Sequence, residues 1–67
     1  MFPVVDLLDV HVLEVQGGAI LIEAPSQSGV LRQLLVPLDV IDDGPVDKGQ
    51  RGDLTVSRAW ARAQGLL

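Results

Sequence analysis

The chain has 67 residues, no cysteine, one histidine and a formal charge of −4, and 48% of it is apolar. That length holds one domain, which buries only about 60% of its unfolded surface, and the missing thiols exclude disulfides and thiolate metal centres while suiting a reducing, cytoplasmic setting. A core so small usually leans on a disulfide, a metal or a partner; without the first two, self-association or a protein partner remains, and the surplus of Val and Leu points the same way.

The first strand is expected over residues 4–15. Val10-His11-Val12 alternates in one phase and Leu13-Glu14-Val15 in the other, so a bulge near Val12 and Leu13 is predicted to bring both apolar sets to one side. Gly17-Gly18 then gives the chain's strongest turn signal, a tight hairpin. A second strand over 19–24 stops at Pro25, and Ser26-Gln27-Ser28-Gly29 reads as the next turn. A third strand over 30–36 leads through Pro37, expected at an edge or break, into a short strand over 38–41. The longest loop is expected over 42–52, with Gly44-Pro45, Gly49 and Gly52 among charged residues.

Residues 53–56 return as a last short strand with Leu54 and Val56 inward, and then the period changes. Ser57 is placed as an N-cap, residues 58–64 hold three alanines and no β-branched residue, and Gly65 stands at the stop position. One short helix is predicted. It is too short to persist undocked, and Trp60 is the expected peg, with replacement by alanine costing about 3–5 kcal/mol if it fills a buried site. The whole reads as a mainly β domain over residues 1–67, a small SH3-like or OB-like barrel of four or five strands with a short C-terminal helix. The segment from Gly49 to Leu66, with its Gly-turn, strand, Trp-helix and Gly-Leu ending, resembles the closing strand and helix of small accessory proteins from phages and mobile elements. That resemblance implies a binding role.

Catalytic chemistry finds little to work with. Asp42-Asp43 is the closest acidic pair, yet sequence neighbours point apart, and beside Gly44-Pro45 they read as turn residues. Asp39, Asp42, Asp43 and Asp47 miss the alternating acids, central Gly and closing Glu of a calcium loop. His11 is the sole imidazole available to activate Ser26, Ser28, Thr55 or Ser57, and strand alternation turns it outward. Gly17-Gly18 lacks the Lys-Ser/Thr and following helix of a phosphate loop. Arg51-Gly52-Asp53 spells an integrin-type tripeptide that a chain without a secretion signal gives by chance. No enzyme, cofactor or metal is expected.

Charge and apolar surface say more. Asp6, Asp9, Glu14 and Glu23 meet no base before Arg32, so the first half is purely acidic and favours basic partners over phosphate backbones. Lys48, Arg51, Arg58 and Arg62, with Trp60, form the one candidate binding patch. Arg58 and Arg62 lie four apart on one helical face. Such a patch would serve a single-stranded nucleic-acid binder, but with Phe2 and Trp60 the only aromatic residues, pairing with the acidic strands is the expected use. The leading expectation is a non-enzymatic protein-binding module. No apolar run approaches the roughly 18 residues of a membrane span, and Met1-Phe2-Pro3 lacks the features of a signal peptide; membrane contact is not expected. The chain is expected to form at least a dimer, through a sheet face or through an N-terminal segment whose Phe2, Val4, Val5, Leu7 and Leu8 are too apolar for a free tail.

Overall fold

The Val- and Ile-rich runs form five antiparallel strands. A computed structural model describes residues 3–26 and 28–67; Phe2, among the expected interface residues, lies outside them. The strands are β1 (Val4–Gln16), β2 (Ala19–Pro25), β3 (Leu31–Pro37), β4 (Ile41–Asp43) and β5 (Arg51–Ser57), followed by one helix, α1 (Arg58–Ala63). They make one sheet in the order β3-β2-β1-β5-β4. The helix is too short to cross a membrane.

β1 is shared by two half-sheets, and bulges divide it. Against β2, Val12 faces Ile22 and Glu14 faces Leu21, so Leu13 is the extra residue that the change of apolar phase predicts. Against β5, Leu7 faces Leu54 while Val10 faces Gly52, which inserts one more residue at Leu8-Asp9. Asp9 takes φ 56 there, the left-handed region that Asp visits more readily than most residues. The hairpin falls at Gly17-Gly18 as expected, and only Gly17 has a positive φ, at 61. A glycine at the first central position with a two-residue loop is the II′ pattern, whose twist matches the strands.

The core consists of Val10 and Val12 of β1, Ile20, Ile22 and Ala24 of β2, Val36 of β3, Leu54 and Val56 of β5, and Ala61 of α1. Leu54 and Val56 point inward as expected. Strand alternation accounts for the set, since every second residue of β2 and β5 turns to the same side.

Two expectations about the middle of the chain change. Residues 38–41 were expected as strand, but Leu38–Val40 form a 3-10 turn and β4 begins at Ile41. The Leu38 N–H donates to the Gly18 carbonyl at 2.8 Å, which ties the chain to the first hairpin and turns it where Pro37 ends β3. The loop expected over 42–52 is correspondingly shorter, because β4 and β5 claim its two ends.

The sheet is not closed into a barrel, since β3 and β4 form its two edges and do not pair. It must nevertheless curl. Four spacings of about 4.8 Å would hold the edges about 19 Å apart in a flat sheet, whereas three residues of 3-10 turn advance only about 6 Å. Open edges are managed in other ways: Pro37 ends edge strand β3, and edge strand β4 is only three residues long.

The helix closes as its sequence predicts. The Ser57 side chain accepts a hydrogen bond from the Trp60 N–H at 3.3 Å. At the other end, Gly65 has φ 76, its N–H donates to the Arg62 carbonyl, and the Leu66 N–H donates to the Ala61 carbonyl. That pair of bonds is a Schellman stop. Trp60 packs against the core but is only half-buried, and Ala61 is the helical residue that is fully buried.

Candidate functional site

The four basic candidates separate into two groups. Lys48 sits at the tip of the loop between β4 and β5, which Gln50 braces by accepting hydrogen bonds from the N–H groups of Val46 and Asp47 at 3.2 and 3.1 Å. The loop is also sewn to β1, where Gly49 N–H donates to the Val12 carbonyl and Val12 N–H to the Gln50 carbonyl. This places the Lys48 ammonium 3.3 Å from the Glu14 carboxylate of β1. It is the single ion pair among the described residues. Both groups are well exposed, so it contributes little to stability and salt screens it.

Arg51 opens β5 opposite His11, and His11 faces Glu23 across its other side. Arg58 and Arg62 stand at the far end of β5, about 20 Å along the strand, both exposed on α1 beside Pro3 and Ser57. The Arg58 N–H also donates to the Pro3 carbonyl at 3.1 Å. The fold thus brings Arg58 and Arg62 together, pairs Lys48 with an acidic strand, and leaves Arg51 apart from the helical pair.

Trp60 is attached to that pair by sequence but turned partly into the core. Its half-burial lowers the expected cost of replacement. Trp60→Ala should destabilise by about 2 kcal/mol rather than the larger loss of a filled core site. Urea unfolding checks this, and a change below about 0.5 kcal/mol would show that the indole packs on nothing.

The N-terminal candidates are part of the sheet. Val4, Val5 and Leu7 face Ser57, Val56 and Leu54 across the β1–β5 ladder. Val5 and Leu7 are half-buried against the core, whereas Val4 and Leu8 remain exposed. Pairing of β1 with β2 begins only at His11, so this half of β1 stands apart from the β2–β3 corner.

A groove of about 560 Å³ fills the resulting gap. One wall is Asp6 to Asp9 of β1; the other is Ala24 and Pro25 of β2 with Arg32 and Leu34 of β3; the C-terminal Leu66 and Leu67 close one end. Leu7, Ala24, Leu34 and Leu66 are buried or half-buried and make the floor, while Asp6, Leu8, Asp9 and Arg32 are exposed at the rim. The Asp6 carboxylate accepts a hydrogen bond from Thr55 Oγ1 at 2.6 Å, and the Asp53 carboxylate accepts one from the Asp9 N–H at 3.3 Å. Sequence reasoning missed this groove. A signal was present: Val5 and Leu7 lie in one apolar phase and Val10 and Val12 in the other, which marks the bulge where β1 turns away.

A second exposed surface lies on edge strand β3. Leu31 and Leu35 project on the outer face, with exposures of 61% and 53%, and their cross-strand partners on β2 are Pro25 and Leu21. Val30, 63% exposed, extends the patch. Among the described residues no group of three or more His, Cys, Asp or Glu is placed to hold a metal. The chain matches no protein-family model, no curated protein and no solved structure.

Proposed function

We propose that the chain is a non-enzymatic protein-binding module that also associates with itself. The observation that supports this is the balance of its apolar residues: among the described residues nine are buried, and nine large ones, Leu8, Val30, Leu31, Leu35 and Leu67 among them, are exposed. Exposed apolar residues are ordinary when scattered. Here Leu31 and Leu35 gather with Leu21 and Pro25 on one side of an edge strand, and contiguous apolar area is what marks a surface made to be covered. The sequence supplies one imidazole and no thiol for catalysis. A cytoplasmic setting suits a chain without cysteine.

The finer fold assignment is part of the same proposal. A meander whose first and last strands pair, with a three-residue link between the remaining edges, is what a small SH3-like or OB-like barrel requires. The closing segment supports an accessory role of the phage or mobile-element kind. The separation of Lys48 from Arg58 and Arg62 disfavours the nucleic-acid reading.

Two measurements test the proposal. Immobilised chain should retain a protein from lysate in stoichiometric amount, and the Leu31→Ser, Leu35→Ser variant should lose it, while labelled single-stranded oligonucleotide should fail to bind at low salt. Oligonucleotide binding that falls steeply with salt, the mark of counterion release, would replace this reading with the nucleic-acid one. Light scattering after size exclusion should give at least a dimer mass; a fully stable monomer at micromolar concentration would remove the self-association.

A further inference from the structure

The N-terminal half of β1 is paired on one side only. Residues Val4 to Leu7 face β5, and antiparallel strands direct alternate backbone N–H and C=O groups to each side. The side turned away from β5 therefore presents a row of backbone donors and acceptors, and that side borders the groove between β1 and the β2–β3 corner. The groove falls within the size range of sites that hold a ligand. Asp9, on its rim, keeps a left-handed φ of 56, a conformation that clusters at binding sites.

We propose that this groove takes an extended segment of a partner protein, added as a strand to the free side of β1 and alternating apolar with basic residues. The inference rests on the protein-binding reading and names the chemistry of the partner. Pleating sets the alternation. A residue opposite Leu7 turns to the apolar floor of Leu34 and Leu66, and its neighbour opposite Asp6 turns outward beside the carboxylate.

Charge complementarity selects the basic residues. Asp6 and Asp9 are exposed on the β1 wall, Asp53 stands beside Asp9, and β1 contains neither Lys nor Arg. Among the described residues, the single cation lining the groove, Arg32, is on the opposite wall. A second copy of the chain does not fit this description, because none of its described strands alternates apolar residues with Lys or Arg.

The test uses the full chain and labelled peptides of about eight residues, long enough to run the length of the half-strand: Val alternating with Lys, with Glu, and with Ser. The Lys peptide should bind about tenfold more tightly than either of the others, and its amide shift changes should map to residues 4–9 and 24–34. Asp6→Asn with Asp9→Asn should weaken it about tenfold, while Asp42→Asn with Asp43→Asn, which removes the same charge from β4, should change it by less than about twofold. Equal affinities for the three peptides, equal losses from the two acidic variants, or shifts confined to other residues would overturn the inference. A protein retained through Leu31 and Leu35 with no Lys peptide bound in the groove would sink the groove proposal and leave the binding-module reading standing, whereas neither a retained protein nor a bound peptide would sink both.

Discussion

Replacing Gly44 with alanine should cost about 3 kcal/mol or more, since a strained φ and a backbone clash add at one position. Gly44 follows β4 with φ 120, and a β-carbon there would stand 2.6 Å from the Asp53 carbonyl oxygen and 2.9 Å from the Leu54 α-carbon. Both are backbone atoms of β5, so relief requires β4 to lift away from its neighbour. The control is Gly17→Ala in the first hairpin, where φ is 61 but nothing lies within 4 Å of the added carbon; left-handed strain alone should cost about 1–2 kcal/mol. Equal urea midpoints for the two variants would show that the close approach of Gly44 to β5 does not exist. For a domain this size, total stability is only about 3–10 kcal/mol, so the Gly44 variant loses about a third or more of it and, at the lower end of that range, reaches its unfolding transition at room temperature.

The second large effect is Leu54→Ala, expected to cost about 2–5 kcal/mol. Leu54 is fully buried in the middle of β5, facing Leu7 of β1, and Gly44 packs on its other side. Few neighbours can collapse into the vacated space, because β1 is held at Val5 and Val10 by the same ladder. Leu35→Ala provides the comparison: the side chain is of equal size but 53% exposed, and the loss should stay below about 1 kcal/mol in the isolated chain. If β3 lies in a contact between copies, that small loss should grow with protein concentration, as mass action requires. A large loss at Leu35 that ignores concentration would mean that the outer face of β3 is covered by the chain itself.

Local signals carried most of the fold. The phase change at Leu13, the glycine pair at 17–18, Ser57 as cap and Gly65 as stop each specify a backbone event within a few residues, and each event occurs where its residues place it. What failed depended on distant partners. Leu38-Asp39-Val40-Ile41 reads the same as strand or 3-10 turn until the Gly18 carbonyl takes the Leu38 N–H. Ala61 rather than Trp60 is the fully buried helical residue, and apolar size gives no hint of it. The basic residues share one stretch of sequence, but β5 runs extended between Arg51 and Arg58 and carries them apart. The groove was least legible, because its two walls come from the start and the middle of the chain and its end from the C-terminus.

The split allegiance of β1 bears on how the chain folds. The β1–β2–β3 meander closes over short loops, a microsecond process for hairpins, whereas β5 must bring the two ends of the chain together and meets nearly the full entropy of loop closure. A three-stranded meander should therefore exist before its cover arrives. In that interval the inner faces of Val12, Ile20, Ile22 and Val36 are bare, and bare strands of this composition are where chains stick to one another. Refolding yield should accordingly fall with protein concentration. It should recover when β5 and α1 are made to arrive sooner, as they would if the C-terminal end were linked to the N-terminal end, where Pro3 already meets the start of α1 at Arg58, and the chain reopened at the Gly17-Gly18 turn.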